Sequence, residues 1–106
     1  MNDTGFAPTA VQDMAQSAQQ AAAYLKTLAH EGRLMILCHL GAGEKSVGEL
    51  ESLLNIRQAA VSQMLARLRD EQLVKTRRDG KTIYYSLNDD NTAQLIAHLH
   101  GMFCKS

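Results

Sequence analysis

Between Ser46 and Leu87 the hydrophobic period switches from helical to alternating around two breaks, and no other stretch constrains the chain so tightly. SVGELESLL opens with Ser46 and carries Glu49 three residues on, a capping box at the start of a short helix. Asn55-Ile56-Arg57 is a tight break. QAAVSQMLARLRDEQ then predicts a second helix, with Val61, Leu65 and Leu68 on one face and Gln58, Ser62, Gln63 and Arg67 off that stripe. LVKTR and TIYYSL alternate as strands around Arg78-Asp79-Gly80-Lys81. Asp-Gly between alternating runs signals a hairpin, because such a turn needs positive φ. Two helices across a tight turn, followed by a hairpin, read as a helix-turn-helix with a wing. An amide-rich second helix suits the major groove of DNA, where Gln and Arg reach base edges. Arg77, Arg78 and Lys81 at the hairpin tip suit phosphates or the adjacent minor groove.

Net charge argues against nucleic acid until its distribution is considered. The 106-residue chain is formally neutral. From Arg57 to Lys81, however, seven basic residues face three acids, so this span carries +4 and the remainder −4. The positive charge sits on the segment that would meet a phosphate backbone. At this length the chain is read as one domain over 1–106, with 1–9 a flexible tail. No basic region precedes an apolar run, and the longest apolar stretch, Leu34 to Cys38, is too short to span a membrane. A cytoplasmic location is expected, without membrane association. There, Cys38 and Cys104 are not expected to form a permanent structural disulfide. They remain open to three readings: a buried pair, a metal site or a redox site.

Elsewhere, Val11, Met14, Ala15, Ala18, Ala22, Leu25 and Leu28 recur at helical spacing in a long segment rich in Ala and Gln. The stripe is long for so small a core, so it is read as half of a dimer interface, the bland alternative being packing on its own domain. After a break at Ala29-His30-Glu31, RLMILCHL (33–40) predicts a helix apolar almost all round, and therefore central. His30 is read as helping to start it. After the wing, Asn88 is expected to cap a last helix, with Asp89 and Asp90 in its first turn. Leu95, Leu99, Met102 and Phe103 form its stripe and are expected to pair with the first helix, in the same chain or a partner. The expected fold is mainly α with a β-hairpin wing, in the order α-α-α-α-β-β-α.

LKTLAHEGRLMILCHL (25–40), SVGELESLL (46–54) and AAVSQMLARLRDEQLVKTRRDGKTIYYSL (59–87) together resemble the ArsR/SmtB family of dimeric winged-helix repressors. The resemblance covers nearly the whole chain and is strongest to the sulfur-responsive branch of the BigR/SqrR/HlyU type. Members of that branch carry one Cys in the second helix and one near the end of the last, which match Cys38 and Cys104 here. The resemblance implies a homodimer that binds a double-stranded DNA operator and releases it on effector binding or thiol modification. Three positions depart from the family pattern. Ser46 to Leu50 lacks the Cys-x-Cys box of many metal sensors. Met64 stands where a histidine is common. Arg57 stands where Ser usually caps the recognition helix, a poor cap that is free to touch a phosphate.

These strands give a DNA-contact set of Arg57, Gln58, Ser62, Gln63, Arg67, Arg77, Arg78 and Lys81. They also give a redox pair, Cys38 and Cys104, and a dimer interface of Val11, Met14, Ala18, Leu25, Leu95, Leu99 and Phe103. Cys104 shares a helix face with His100 at i and i+4, and an imidazolium there favours the thiolate. The expectation is a repressor that binds an inverted repeat and senses reactive sulfur species through a Cys38–Cys104 link. Two rivals stand beside it. One is a metal-responsive repressor using Cys38, His100 and Cys104, a set suited to zinc or copper(I). The other is an architectural or anti-silencing DNA binder with inert cysteines. His98 and His100, about 200° apart on a helix, cannot chelate one ion together. The sequence holds no phosphate loop, nucleophile elbow or paired carboxylate set, so neither catalysis nor a resident cofactor or metal is expected.

Overall fold

A computed structural model describes residues 7–104. The order is α1 (Pro8–Leu28), α2 (Glu31–Gly41), β1 (Lys45–Ser46), α3 (Val47–Leu54), α4 (Gln58–Asp70), β2 (Val74–Asp79), β3 (Thr82–Leu87) and α5 (Asp90–Phe103). The winged helix-turn-helix is present, with five helices and an antiparallel sheet of order β1-β3-β2. β1 is the element that sequence patterning does not predict. Two residues carry no period, and Lys45 and Ser46 are held as a strand by pairing with Tyr85 and Tyr84. Of the tail expected over 1–9, Pro8 and Thr9 are instead helical, because α1 starts at Pro8, where a missing N–H costs nothing. The rest of that expectation, residues 1–6, lies outside the described residues. No helix among the described residues is long and apolar enough to cross a membrane.

The core forms where the apolar faces of α2, α3 and α4 meet the sheet. Ile36, Leu37, Leu50, Val61, Leu65 and Leu68 are fully buried, with Leu40, Leu73 and Val74 nearly so. The α4 stripe is therefore the one read from spacing. Ser46 caps α3 by accepting from the Glu49 N–H at 3.1 Å, while Glu49 Oε1 accepts from the Ser46 N–H at 2.8 Å. Asn55 ends α3 in the left-handed region at φ 56°, which an amide side chain tolerates, and this swings the chain into α4. Arg57 sits at the N-cap of α4 with no side-chain cap bond. α4 stops at Asp70 rather than Gln72, because Gln72 turns left-handed at φ 63° and Leu73 bonds back to Leu68. Met64 packs closely on α2: a Cβ on Gly32 would lie 2.5 Å from its Sδ, so a larger residue there would have to push the flexible thioether aside.

The hairpin turns one residue later than Asp79-Gly80 suggests. Asp79 pairs with Thr82, which leaves Gly80-Lys81 as the loop, and positive φ falls on Gly80 alone, at 64°. Glycine at the first of two loop positions is the other favoured hairpin solution. The expected cap of α5 is also corrected. Asn88 is not the cap: its Nδ2 donates to Gln72 O at 2.9 Å, tying the strand end to the α4 exit. Asp89 caps instead, accepting from the Thr92 N–H at 2.9 Å. Asp89→Ala is expected to cost about 0.5–2 kcal/mol of stability. Urea denaturation should show a lower midpoint at unchanged slope.

Candidate nucleic-acid interface and thiol pocket

The amphipathic split of α4 puts its polar side outward. Arg57, Gln58, Ser62, Gln63 and Arg67 are all exposed, opposite buried Val61, Leu65 and Leu68. Arg67 Nε lies 3.8 Å from Glu71 at the helix end, a loose exposed pair. Gln58, at the first turn of α4, and Lys81, at the wing tip, line one open cleft of about 420 Å³ with Ser46 and Thr82. The start of α4 and the wing tip thus border one cleft of mixed polar and apolar lining. Arg78 and Lys81 project exposed from the tip.

Arg77 is held differently from what a free basic tip suggests. It stands opposite Tyr84 across β2 and β3, and Tyr84 in turn stands opposite Ser46 on β1. The Arg77 side chain crosses the central strand with its guanidinium carbon 4.8 Å from the Tyr84 ring centroid. It ends on Glu44, with Nε donating to Oε2 at 3.1 Å and Nη2 to Oε1 at 2.5 Å. That bidentate hydrogen bond holds the Glu44 carboxyl below, and the Arg77 guanidinium above, its usual range. Sequence patterning missed Glu44, which lies in the short α2–β1 connection. The side chain with no local partner in the chain order finds one only when the sheet closes.

The second constellation lies between α2 and α5. Cys38, on α2, and Cys104, at the C-cap of α5, are both free and exposed. They line one apolar pocket of about 230 Å³ with Leu34, Met35, Ile96, Leu99, His100 and Phe103. The buried-pair reading is thereby corrected, because α2 turns Ile36 and Leu37 inward and Cys38 outward, and Cys104 is exposed as well. Burial within the pocket pushes the Cys38 thiol up, and the charge of the Cys104 thiolate nearby pushes it further. His98 and His100 are exposed on α5. Among the described residues no three His, Cys, Asp or Glu side chains gather to hold a metal ion.

The expected dimer residues divide in two. Val11, Met14, Ala18 and Leu25 on α1 are exposed, as is Phe103 on α5. Leu95 and Leu99 are half-buried against the chain's own core. α1 reaches that core only through its last turns, where Tyr24 Oη bonds Thr92 Oγ1 at 3.0 Å and Thr27 and Leu28 are buried.

Residues 30–76, from the α2 cap to the middle of the wing, match the bacterial regulatory protein, arsR family. The chain is 50% identical over 91 residues to the biofilm growth-associated repressor of Agrobacterium fabrum, covering 86% of this chain and 78% of that protein. The chain belongs to the arsR family. Over 100 residues it is 42% identical to the transcriptional activator HlyU of Vibrio cholerae, covering 94% of this chain and 93% of that one. The crystal structure of the transcriptional repressor BigR from Xylella fastidiosa superposes with a TM-score of 0.83 at 45% identity, covering 90% and 97% of the two chains. This arsR-family chain is accordingly a DNA-binding transcriptional regulator with the winged-helix fold of those proteins.

Partial burial in the pocket raises the Cys38 thiol above its ordinary range. In Cys104→Ser, alkylation of Cys38 by iodoacetamide should therefore keep accelerating past the ordinary thiol range near pH ~8.5. A rate that levels off below pH ~8 overturns this assignment.

Proposed function

We propose that the chain is an operator-binding repressor whose affinity for DNA is set by the sulfur chemistry of Cys38 and Cys104. The observation that carries this reading is the shared pocket. Helices α2 and α5, far apart along the chain, bring two exposed thiols to one apolar recess. The chain acts as one winged helix-turn-helix domain in a homodimer bound to an inverted repeat. Gln58, Ser62, Gln63 and Arg67 read the major groove, while Arg57, Arg78 and Lys81 meet phosphates, with Arg77 beside them.

The switch uses a persulfide as oxidant. Cys104 attacks first, since partial burial raises the Cys38 thiol and makes it the poorer source of thiolate. The Cys104 thiolate attacks the outer sulfur of RSSH, the donor S–S bond breaks, and RS⁻ leaves. The resulting Cys104 persulfide is attacked at its inner sulfur by Cys38 as that thiol loses its proton. A Cys38–Cys104 disulfide forms and HS⁻ departs. Two thiols are oxidised by two electrons, and the donor's transferred sulfur is reduced to H₂S. Attack on a longer sulfane chain gives a polysulfide bridge, which relaxes the requirement of about 7 Å between Cα atoms. The bridge ties α2 to α5 and biases the dimer toward a spacing of reading heads that no longer fits the groove. A coupling of about 1–3 kcal/mol changes affinity by roughly 5–150-fold.

Cys38→Ser and Cys104→Ser should each bind DNA as well as the reduced protein, because neither thiol lies on the polar face of α4. Each should fail to release DNA on persulfide treatment, because a serine hydroxyl cannot carry sulfur transfer. Intact mass should show loss of two hydrogens, or gain of whole sulfur atoms, in the wild type alone. A single mutant that still releases DNA fully refutes the two-thiol switch.

The dimer reading rests on α1. Val11, Met14 and Leu25 are 57%, 50% and 55% exposed, and Phe103 is 77% exposed at the end of α5. Helices in proteins draw most of their stability from packing an apolar face, and these residues find little such packing among the described residues. Two half-sites one DNA turn apart need two reading heads about 34–36 Å apart. Since Leu25 is exposed within the chain, Leu25→Asp should spare the fold and break the assembly. Sedimentation should give a monomer with an unchanged far-UV spectrum. A Leu25→Asp dimer overturns the α1 interface.

A further inference from the structure

Arg77 is the wing cation that is already engaged. Its side-on edge is filled by Glu44 and its face is covered by Tyr84. The remaining donors point away from that edge, but a phosphate docking on them would sit beside the Glu44 carboxylate. Arg78 and Lys81 have no such partner among the described residues and are open to any polyanion. DNA that is held loosely therefore meets Arg78 and Lys81 first. Taking Arg77 as well requires exchanging a bidentate carboxylate for a phosphate oxygen, a like-for-like trade of charge-assisted bonds. The trade is favourable only where the phosphate is held in register, which is what seating α4 in a fitted major groove supplies.

We propose that Glu44 is a specificity-determining residue for DNA. Its carboxylate keeps Arg77 off loosely held, random-sequence duplex and yields the guanidinium to a phosphate on a fitted site. The proposal rests on the wing contacting DNA. It assigns Glu44 a role opposite to a simple structural brace, because the acid weakens binding overall and weakens wrong binding more. The pair is exposed, which keeps the energy small enough for DNA to open it.

The test compares two duplexes, one of random sequence and one selected from a random pool by the wild-type protein. Reduced protein is used throughout so that the cysteines play no part. Glu44→Gln keeps the side chain's shape and removes its charge. It should bind the random duplex roughly 2–5-fold more tightly, the range set by an exposed ion pair. Its log-affinity against log-salt slope on that duplex should steepen by about 1, for one more phosphate engaged. The selected duplex should gain less, so the ratio of the two affinities falls.

Arg77→Ala with Glu44→Gln separates this from a plain change of net charge. Through Arg77, the Glu44→Gln effect vanishes in the Arg77→Ala background; an equal gain with and without Arg77 overturns the proposal. Weaker binding by Glu44→Gln overturns it too, since Glu44 would then be positioning Arg77 on the DNA. Arg78→Ala is the control for the wing. If it flattens the salt slope while Glu44→Gln changes nothing, the proposal fails and the wing reading stands. If Arg78→Ala also leaves both duplexes unaffected, the wing reading itself fails and takes the proposal with it.

Discussion

The burial of α2 is the constraint on which the rest of the structure depends. Ile36, Leu37 and Leu40 are at or near zero exposure, and this short helix touches α1, α3, α4, α5 and β3. Truncating a side chain in such a place leaves a cavity that no neighbour can fill, at a cost of about 2–5 kcal/mol. The same helix turns Cys38 and Met35 outward. One element therefore carries both the centre of the core and a wall of the thiol pocket. His30 holds its start by accepting from the Arg33 N–H at 3.3 Å, and Arg33 Nε donates to Thr27 O at 2.7 Å, so the end of α1 and the start of α2 are fixed together.

Electrostatics divides the molecule along its length. The stretch from Arg57 to Lys81 holds the positive excess, and the balancing acids lie outside it. One of those acids, Glu44, bonds a wing cation, and it lies beside the sheet because two-residue β1 follows it directly. A neutral chain can thus offer a cationic face to DNA while one of its cations is matched inside the face itself. Bulk net charge reports neither fact.

Legibility followed periodicity. The helix-turn-helix, both wing strands and the buried face of α4 were readable because each repeats a spacing that only one regular structure satisfies: Val61, Leu65 and Leu68 for the helix, TIYYSL for the strand. The capping box at Ser46 and Glu49 was readable for the same reason, as a fixed local offset. What failed was non-local. β1 exists through Tyr84 and Tyr85, not through Lys45 and Ser46 themselves. Asn88 has the chemistry of a cap, yet the path of α4 places Gln72 O within its reach and leaves the capping to Asp89. The Arg77–Glu44 pair spans the sheet, and no window along the chain contains both. The convergence of Cys38 and Cys104 belongs to the same class: residue type marked each one, but only the packing of α5 against α2 puts them on one pocket.

Helix α2 connects that pocket with α4: the two helices pack together, and Met64 Sδ rests against the first turn of α2. Cys38 lies on the same helix, less than two turns away. α2 is too well packed to deform smoothly, since close-packed interiors shift as units rather than yield by degrees. A sulfur bridge to Cys104 that displaced α2 would carry that displacement to α4 through the Gly32–Met64 contact. It would carry it to the wing through the contact of α2 with β3. Under the proposed switch such a bridge would need no route of its own to α4, because α2 already packs against it.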